Sequence, residues 1–447
     1  MKVLTMTLAV AAALFAGQSQ AATYVVQARA MNFDQALVGK IEAAGGQVVA
    51  RYPQIGVAIV EADERFASRT ARMSELQSTT RDMVLQFEIP ESVPLGLSAA
   101  ASPPNTGDDD FLFDTQWGFD AINAPEAWQA GYRGAGATVA VLDSGLDCTH
   151  PDLTPNMLGA LNASFVPGET ACQVPAGFTQ GTHVAGTIAA ADNGIGVIGV
   201  APQAKFFAVK VLSAYTGSGS FAGILQGIVY ATDNGADVIN MSLGVRGGLP
   251  IVRDTRELVA AVQRAVLYAR RNDTTVIASA GNDAINFDTA TDADGHRLMA
   301  FPAGVQGVLA ISATAPIGWA TNPAASNLDI PTSYTSYGLR TVALAAPGGN
   351  SEYPGNENCL IAGLVRPCWV FDLVMSTSTG GWSWAGGTSM AAPHVSGVAA
   401  LIIGANGGKL NVGRVHNALL RGADDLGPPG VDEKFGHGRV NAEESLR

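Results

Sequence analysis

The chain reads as an α/β protein, with a mostly parallel central sheet covered by helices on both faces and a small α+β domain of ferredoxin-like order ahead of it. Three observations predict this. Six apolar runs, "ATVAVLDSG", "AKFFAVKVL", "ADVINMSLG", "TTVIASAGN", "GVLAISAT" and "RTVALAAPG", each end in small polar residues. Helical stretches such as "FAGILQGIVYATDNG" and "RELVAAVQRAVLYARRN" lie between several of them, and continuous apolar strands separated by helices belong to sheets buried on both faces. Residues 22–93 carry the separate order β-α-β-β-α-β of a split βαβ sandwich.

The N-terminus comes first in the chain and reads as a targeting segment. Lys2, an apolar run from Leu4 to Ala16 and a small-residue end at Ser19-Gln20-Ala21 form a secretory signal, residues 1–21. The apolar run is too short to cross a bilayer. In the small domain, "TYVVQAR" is strand-like and "NFDQALVGKIEAAGG" places Phe33, Leu37 and Ile41 at helical spacing before a Gly-Gly stop. "QVVARYPQIGVAIVEA" gives two strands around a proline turn, "ADERFASRTARMSEL" a second helix, and "DMVLQFEI" a closing strand. Residues 94–109 are crowded with Pro, Gly, Ser and Asp, which predicts an exposed linker open to cleavage. Residues 110–447 form the large domain.

The 447 residues, 47% of them hydrophobic, suffice for one large core and a smaller one. A formal net charge of −13 and a pI near 4.9 argue against nucleic acid and anionic membrane as partners. Export makes Cys148, Cys172, Cys359 and Cys368 disulfide candidates. Of three possible pairings, local closure favours Cys148 with Cys172 and Cys359 with Cys368. Their spacing is not that of a zinc site.

In parallel sheets the chemistry collects at the carboxyl ends of the strands. There "VAVLDSGLD" offers Asp143, and "GTHVAGTIAA" offers His183 just inside a helix. "GGTSMAAPHV" offers Ser389 at the start of another helix. A serine hydroxyl needs an imidazole to take its proton and a carboxylate to orient that imidazole, and Asp, His, Ser is one known chain order for such a triad. Taken singly, each residue has a plain explanation as an N-cap, a turn residue or a satisfied polar group. "VIASAGND" adds Asn282, whose amide can hold an oxyanion together with the Ser389 N–H.

The blocks "VAVLDSGLDCTHPDL", "GTHVAGTIAA", "DVINMSLG", "ASAGN" and "GGTSMAAPHVSG" resemble the signature segments of the subtilisin-like serine peptidases, in that family's order. The resemblance implies a subtilisin-like catalytic domain preceded by an inhibitory, folding-assisting propeptide. It implies Asp143, His183 and Ser389 as the triad and Asn282 as the oxyanion donor. Ser242, Leu243 and Gly244 would line the first specificity pocket and pair with the peptide. Ser218 and Gly219 would form the opposing strand, and Phe221 with Leu243 would wall the fourth pocket. Ala300 would be a small neutral floor favouring apolar residues, with Asp283 at the rim. The bound peptide would thus be an added β-strand.

The same resemblance implies structural calcium. Its oxygens would come from Asp152, the Asn193 side chain, the carbonyls of Ala191, Ile195 and Val197, and Asp114 on the N-terminal arm; such a set of hard oxygens suits that ion. The Asp292-Ala-Asp294-Gly stretch lacks the first ligand of a calcium loop and reads as solvated. His150, His296, His394, His416 and His437 read as structural or surface residues. The expectation is a secreted, monomeric serine endopeptidase, made as a precursor and inhibited by its own propeptide. It would act on polypeptides, with no nucleic-acid or membrane partner. The alternatives are a narrow processing peptidase and an inactive secreted binding protein.

Overall fold

The structure is a computed structural model and describes residues 21–95 and 110–447. Most of the signal segment and most of the linker lie outside the described residues. The chain divides into two compact units, one ending at Arg81 and one beginning at Asp82.

The first unit is a four-stranded antiparallel sheet, in the order Gln47–Tyr52, Val57–Ala62, Ala22–Ala28, Leu76–Arg81. Helix Gln35–Ala43 is capped by the Asp34 carboxylate, which accepts from Leu37 N. Its Leu37, Val38 and Ile41 pack with Phe33, Val60 and Phe66 in a small core of their own. Two expectations shift. The second helix covers only Phe66–Thr70. The Thr70 hydroxyl bonds back to Phe66 O and across to Thr79 Oγ1, a local bond of the kind that competes with helix propagation. The closing strand is Leu76–Arg81, whereas "DMVLQFEI" belongs to the second unit, where Val84–Gln86 pairs with Ser218–Ser220.

In the second unit all six apolar runs become strands of one sheet. Its order is Ile330–Pro331, Val308–Ala315, Thr275–Ser279, Val238–Met241, Thr138–Asp143, Lys205–Lys210 and Ala163–Ser164, and Val342–Pro347 also pairs with Val308–Ala315. Every pairing is parallel except that of Ile330–Pro331. Helix Arg253–Arg271 buries Leu258, Ala261, Val262, Ala265, Val266 and Ala269, one face at helical spacing. Helix Thr388–Ala405 is different. It is buried almost all round, with small residues that let strands approach closely. Among the described residues it alone is long and apolar enough to cross a membrane, yet it forms the centre of the core. Disulfides join Cys148 to Cys172 and Cys359 to Cys368, the locally closed pairing.

This sheet brings one end of five elements together. Asp143 ends its strand, Ser242 follows Val238–Met241, and Asn282 follows Thr275–Ser279. Helices Gln180–Ala189 and Thr388–Ala405 begin at the same end, with their N-termini at the cleft.

Candidate active site

Ser389 stands in the first turn of its helix, after Gly387, whose φ of 153° only glycine adopts without strain. Its hydroxyl donates to Ser242 O at 3.3 Å, and its own carbonyl accepts from Ser242 Oγ at 2.7 Å. The oxyanion side is ordered by Thr388. Its N–H and its hydroxyl both donate to Asn282 Oδ1, each at 2.8 Å. With the oxygen of the amide so engaged, the Asn282 NH2 is turned to the cleft, and an ideal Cβ on Gly387 would lie 3.4 Å from it. Helix N-terminal N–H groups and a positioned amide are the donors an oxyanion needs. The sequence analysis passed over Thr388, although its position next to Ser389 was a signal.

Asp143 is buried, and burial holds its carboxyl up at about 7, against the hydrogen bond from Ser144 N (2.6 Å) and the Lys210 charge. Its Oδ2, which an imidazole would engage, is buried without a partner.

The His183 assignment is corrected by this geometry. The His183 ring is fully buried, with Nε2 at 3.1 Å from Val374 O and 3.2 Å from Ser383 O and with Nδ1 unpartnered. Burial pushes it down to about 4, so it stays neutral inside the fold. It makes no hydrogen bond to Ser389 or Asp143, and among the described residues no other histidine does. Each residue of an α-helix advances about 1.5 Å along the axis, so position 183 lies roughly one turn deeper than the helix mouth.

The side chain at that mouth is Gln180. It is buried, opens its helix, and donates its amide to Ser242 O, the same oxygen that accepts the Ser389 hydroxyl. The next residue, Gly181, bonds Ser144 Oγ, and an ideal Cβ there would lie 3.2 Å from Asp143 Cβ. Gln180 therefore occupies the place between carboxylate and nucleophile. Its sequence signal was available, because a residue in the first turn reaches the strand ends and one a turn later does not.

The predicted peptide-binding residues gather beside this site. Ser218 and Gly219 form an edge that accepts a strand, Gly244 O accepts Glu88 N at 3.3 Å, and Val245 N donates to Phe301 O beside Ala300. Phe221 and Leu243 are buried, and the Phe221 ring lies 4.7 Å from that of Phe301. Asp283 accepts from Gly247 N at 2.7 Å.

Away from the cleft, Asp152 is fully buried. Its Oδ2 accepts from Trp382 Nε1 (2.7 Å) and Val197 N (3.1 Å), while Oδ1 has no partner. The loop of Ala191, Asn193, Ile195 and Val197 folds over it, with Ala191 N on Asp152 O. On the arm, Asp110 also meets this loop, its carboxylate accepting from Asn193 N at 3.3 Å. Asp114 sits on the turn Phe113–Thr115, where its charge acts on Asp120. Two carboxylates beside a loop of backbone oxygens, one with a bare buried oxygen, fit a hard cation.

The family described as Subtilase family matches residues 134–438. The chain belongs to the subtilase family. Subtilisin Savinase of Lederbergia lenta is 37% identical over 333 residues, covering 74% of this chain and 98% of that protein. Subtilisin E of Bacillus subtilis (strain 168) is 34% identical over 360 residues, 80% of this chain and 73% of that protein. The crystal structure of a Staphylococcus aureus epidermin leader peptide processing serine protease matches with a TM-score of 0.74. It covers 96% of this chain and 100% of that one, at 21% identity, which speaks for the fold alone. By this membership the protein is a serine endopeptidase in class.

Proposed function

We propose that this subtilase is an exported serine endopeptidase, made with a signal segment and a propeptide, monomeric, and acting on polypeptides that bind as an added strand. Backbone groups of Ser218–Gly219 and Ser242–Gly244 hold the peptide. Phe221 and Leu243 receive the fourth residue before the cut, and Ala300 gives an apolar first pocket. The observation that carries this reading is the antiparallel seat of Val84–Gln86 on Ser218–Ser220, with Phe87 N continuing to Gly217 O at 2.9 Å.

Ser389 Oγ attacks the scissile carbonyl, and Asn282 with the Ser389 N–H hold the resulting oxyanion. The Oγ proton cannot go to Gln180, whose amide nitrogen is a donor and whose amide oxygen is far too weak a base. It goes to water, the amine leaves with a solvent proton, and a second water releases the acyl group. Loss of a triad base costs up to about 10⁶ in rate, leaving roughly 10³–10⁴ over water from the oxyanion site and binding. Calcium at Asp152, Asp110, Asn193 and the carbonyls of Ala191, Ile195 and Val197 would tie the arm to the loop as a structural ion.

The test uses protein clipped ahead of Asp110 by an added peptidase that is then removed. Wild type should hydrolyse a peptide with an apolar first-pocket residue, slowly but faster than Ser389→Ala. Equal rates for the two would sink the reading.

A further inference from the structure

Residues 84–95 run along the cleft, pairing at two places and passing Asn282 and Gly387 between them. On one side Val84, Leu85 and Gln86 face Ser220, Gly219 and Ser218, and Arg246 N donates to Gln86 O at 3.3 Å. Leu85 and Phe87 are buried. On the other side Ser92, Val93 and Pro94 pair antiparallel with Ala385, Trp384 and Ser383, and Leu95 N donates to Trp382 O at 3.0 Å. Between these anchors, Glu88–Val93 line a cavity of about 770 Å³ together with Asn282 and Gly387. The Asp82 carboxylate fixes the start of the segment by accepting from Ala222 N at 3.2 Å.

A peptide threaded past a serine nucleophile and an oxyanion donor would ordinarily be cut. Cutting forms the Oγ–C bond and breaks C–N, so the Oγ proton must be accepted and the departing nitrogen must receive one. Without a positioned base that step slows by up to about 10⁶. Among the described residues, the side chain that joins Ser389 on Ser242 O is Gln180, and Asp143 Oδ2 has no partner.

We infer that Gln180 makes residues 84–95 a retained strand rather than a substrate, so that the protein persists in one piece with its cleft self-occupied and is opened in trans by a different peptidase. This rests on the peptide-binding reading of the cleft, but not on any rate of hydrolysis. Retention has a plain consequence: the strand is tethered, and an external peptide competes with a segment at high effective concentration.

The experiment purifies the full chain as wild type, Ser389→Ala, Gln180→His, Gln180→Glu and the double variant Gln180→His/Ser389→Ala, and follows intact mass over days. Wild type and Ser389→Ala should keep residues 84–95 joined to the remainder. Gln180→His should cut between Gln86 and Ser92, and the double variant should not. Gln180→Glu keeps the shape of glutamine and supplies a carboxylate base, so it serves if the histidine variant misfolds. Ser389-dependent cutting of wild type would overturn the proposal. So would an intact segment in both base variants that have gained hydrolysis of an external peptide. If wild type stays whole but its clipped form shows no Ser389-dependent hydrolysis, the endopeptidase reading fails and the retained strand stands.

Discussion

Gln180 donates its side-chain amide to the main-chain oxygen of Ser242, and the hydroxyl of Ser389 reaches that same oxygen at 3.3 Å. Two donors converge on one acceptor at the point where a nucleophile needs a base. In the proposed reaction Ser389 is the nucleophile and Asn282 the oxyanion donor, and among the described residues no histidine is hydrogen-bonded to Asp143 or Ser389.

Restoring the relay should restore turnover. In clipped protein, Gln180→His should raise kcat on a peptide by about 10²–10⁴-fold, the usual worth of a positioned general base. Adding Asp143→Asn to that variant should remove most of the gain, because the imidazole then loses its orienting carboxylate. A steady-state assay of the three proteins measures this.

Asp143 should be a stability liability. Its folded carboxyl titrates near 7 because burial disfavours the charge, whereas an unfolded one titrates near 3.8. Between these values the folded state binds more protons, so stability falls as pH rises from about 4 to 7. Asp143→Asn should therefore gain stability with pH, reaching about 2–4 kcal/mol at neutral pH and little at pH 4. Denaturant melts at both pH values check it, and a pH-independent difference would show that Asp143 is paired in solution.

His183 should matter to folding alone. Its ring stands against two carbonyls inside the core, so His183→Ala should cost about 2–4 kcal/mol through a cavity and unsatisfied oxygens. The rate per folded molecule should stay within about two-fold. His183 and His394 both titrate near 4 when folded, against 6.5 when free. The unfolded state thus takes up protons first, and their contribution is full above 6.5 and lost as pH falls toward 4. The alanine variant should lose less stability over that window than wild type, as acid-titrated melts would show.

Calcium should raise the melting temperature. An ion that binds only the folded state stabilises by about 2.7 kcal/mol at one hundred times its dissociation constant. Asp152→Asn should abolish the shift, and Asp110→Asn should reduce it. Thermal melts with calcium and with chelator separate these cases.

The sheet was legible because all six buried strands are continuous apolar runs, and burial on both faces leaves no other pattern. Asp143, Ser389 and Asn282 stood out as candidates because each ends or follows a strand, or opens a helix, at the sheet's carboxyl end. The base position did not, because His183 and Gln180 are three residues apart on one helix and a histidine there attracts the assignment. The closing strand was misplaced for a related reason. "LQSTTR" alternates weakly and "DMVLQFEI" strongly, yet the weaker run has the antiparallel partner at Ala22–Ala28.

By itself the sequence determined the parallel α/β sheet through its hydrophobic period and the two disulfide pairs through short loops, while its signature blocks carried the subtilase resemblance and the proposed roles of Ser389 and Asn282. Tertiary structure alone decided which side chain lies between Asp143 and Ser389, which arm carboxylate meets the Asn193 loop, and that residues 84–95 occupy the cleft. Those are matters of depth along a helix and of partner choice by an unpaired strand, and both are settled only when distant segments share one space.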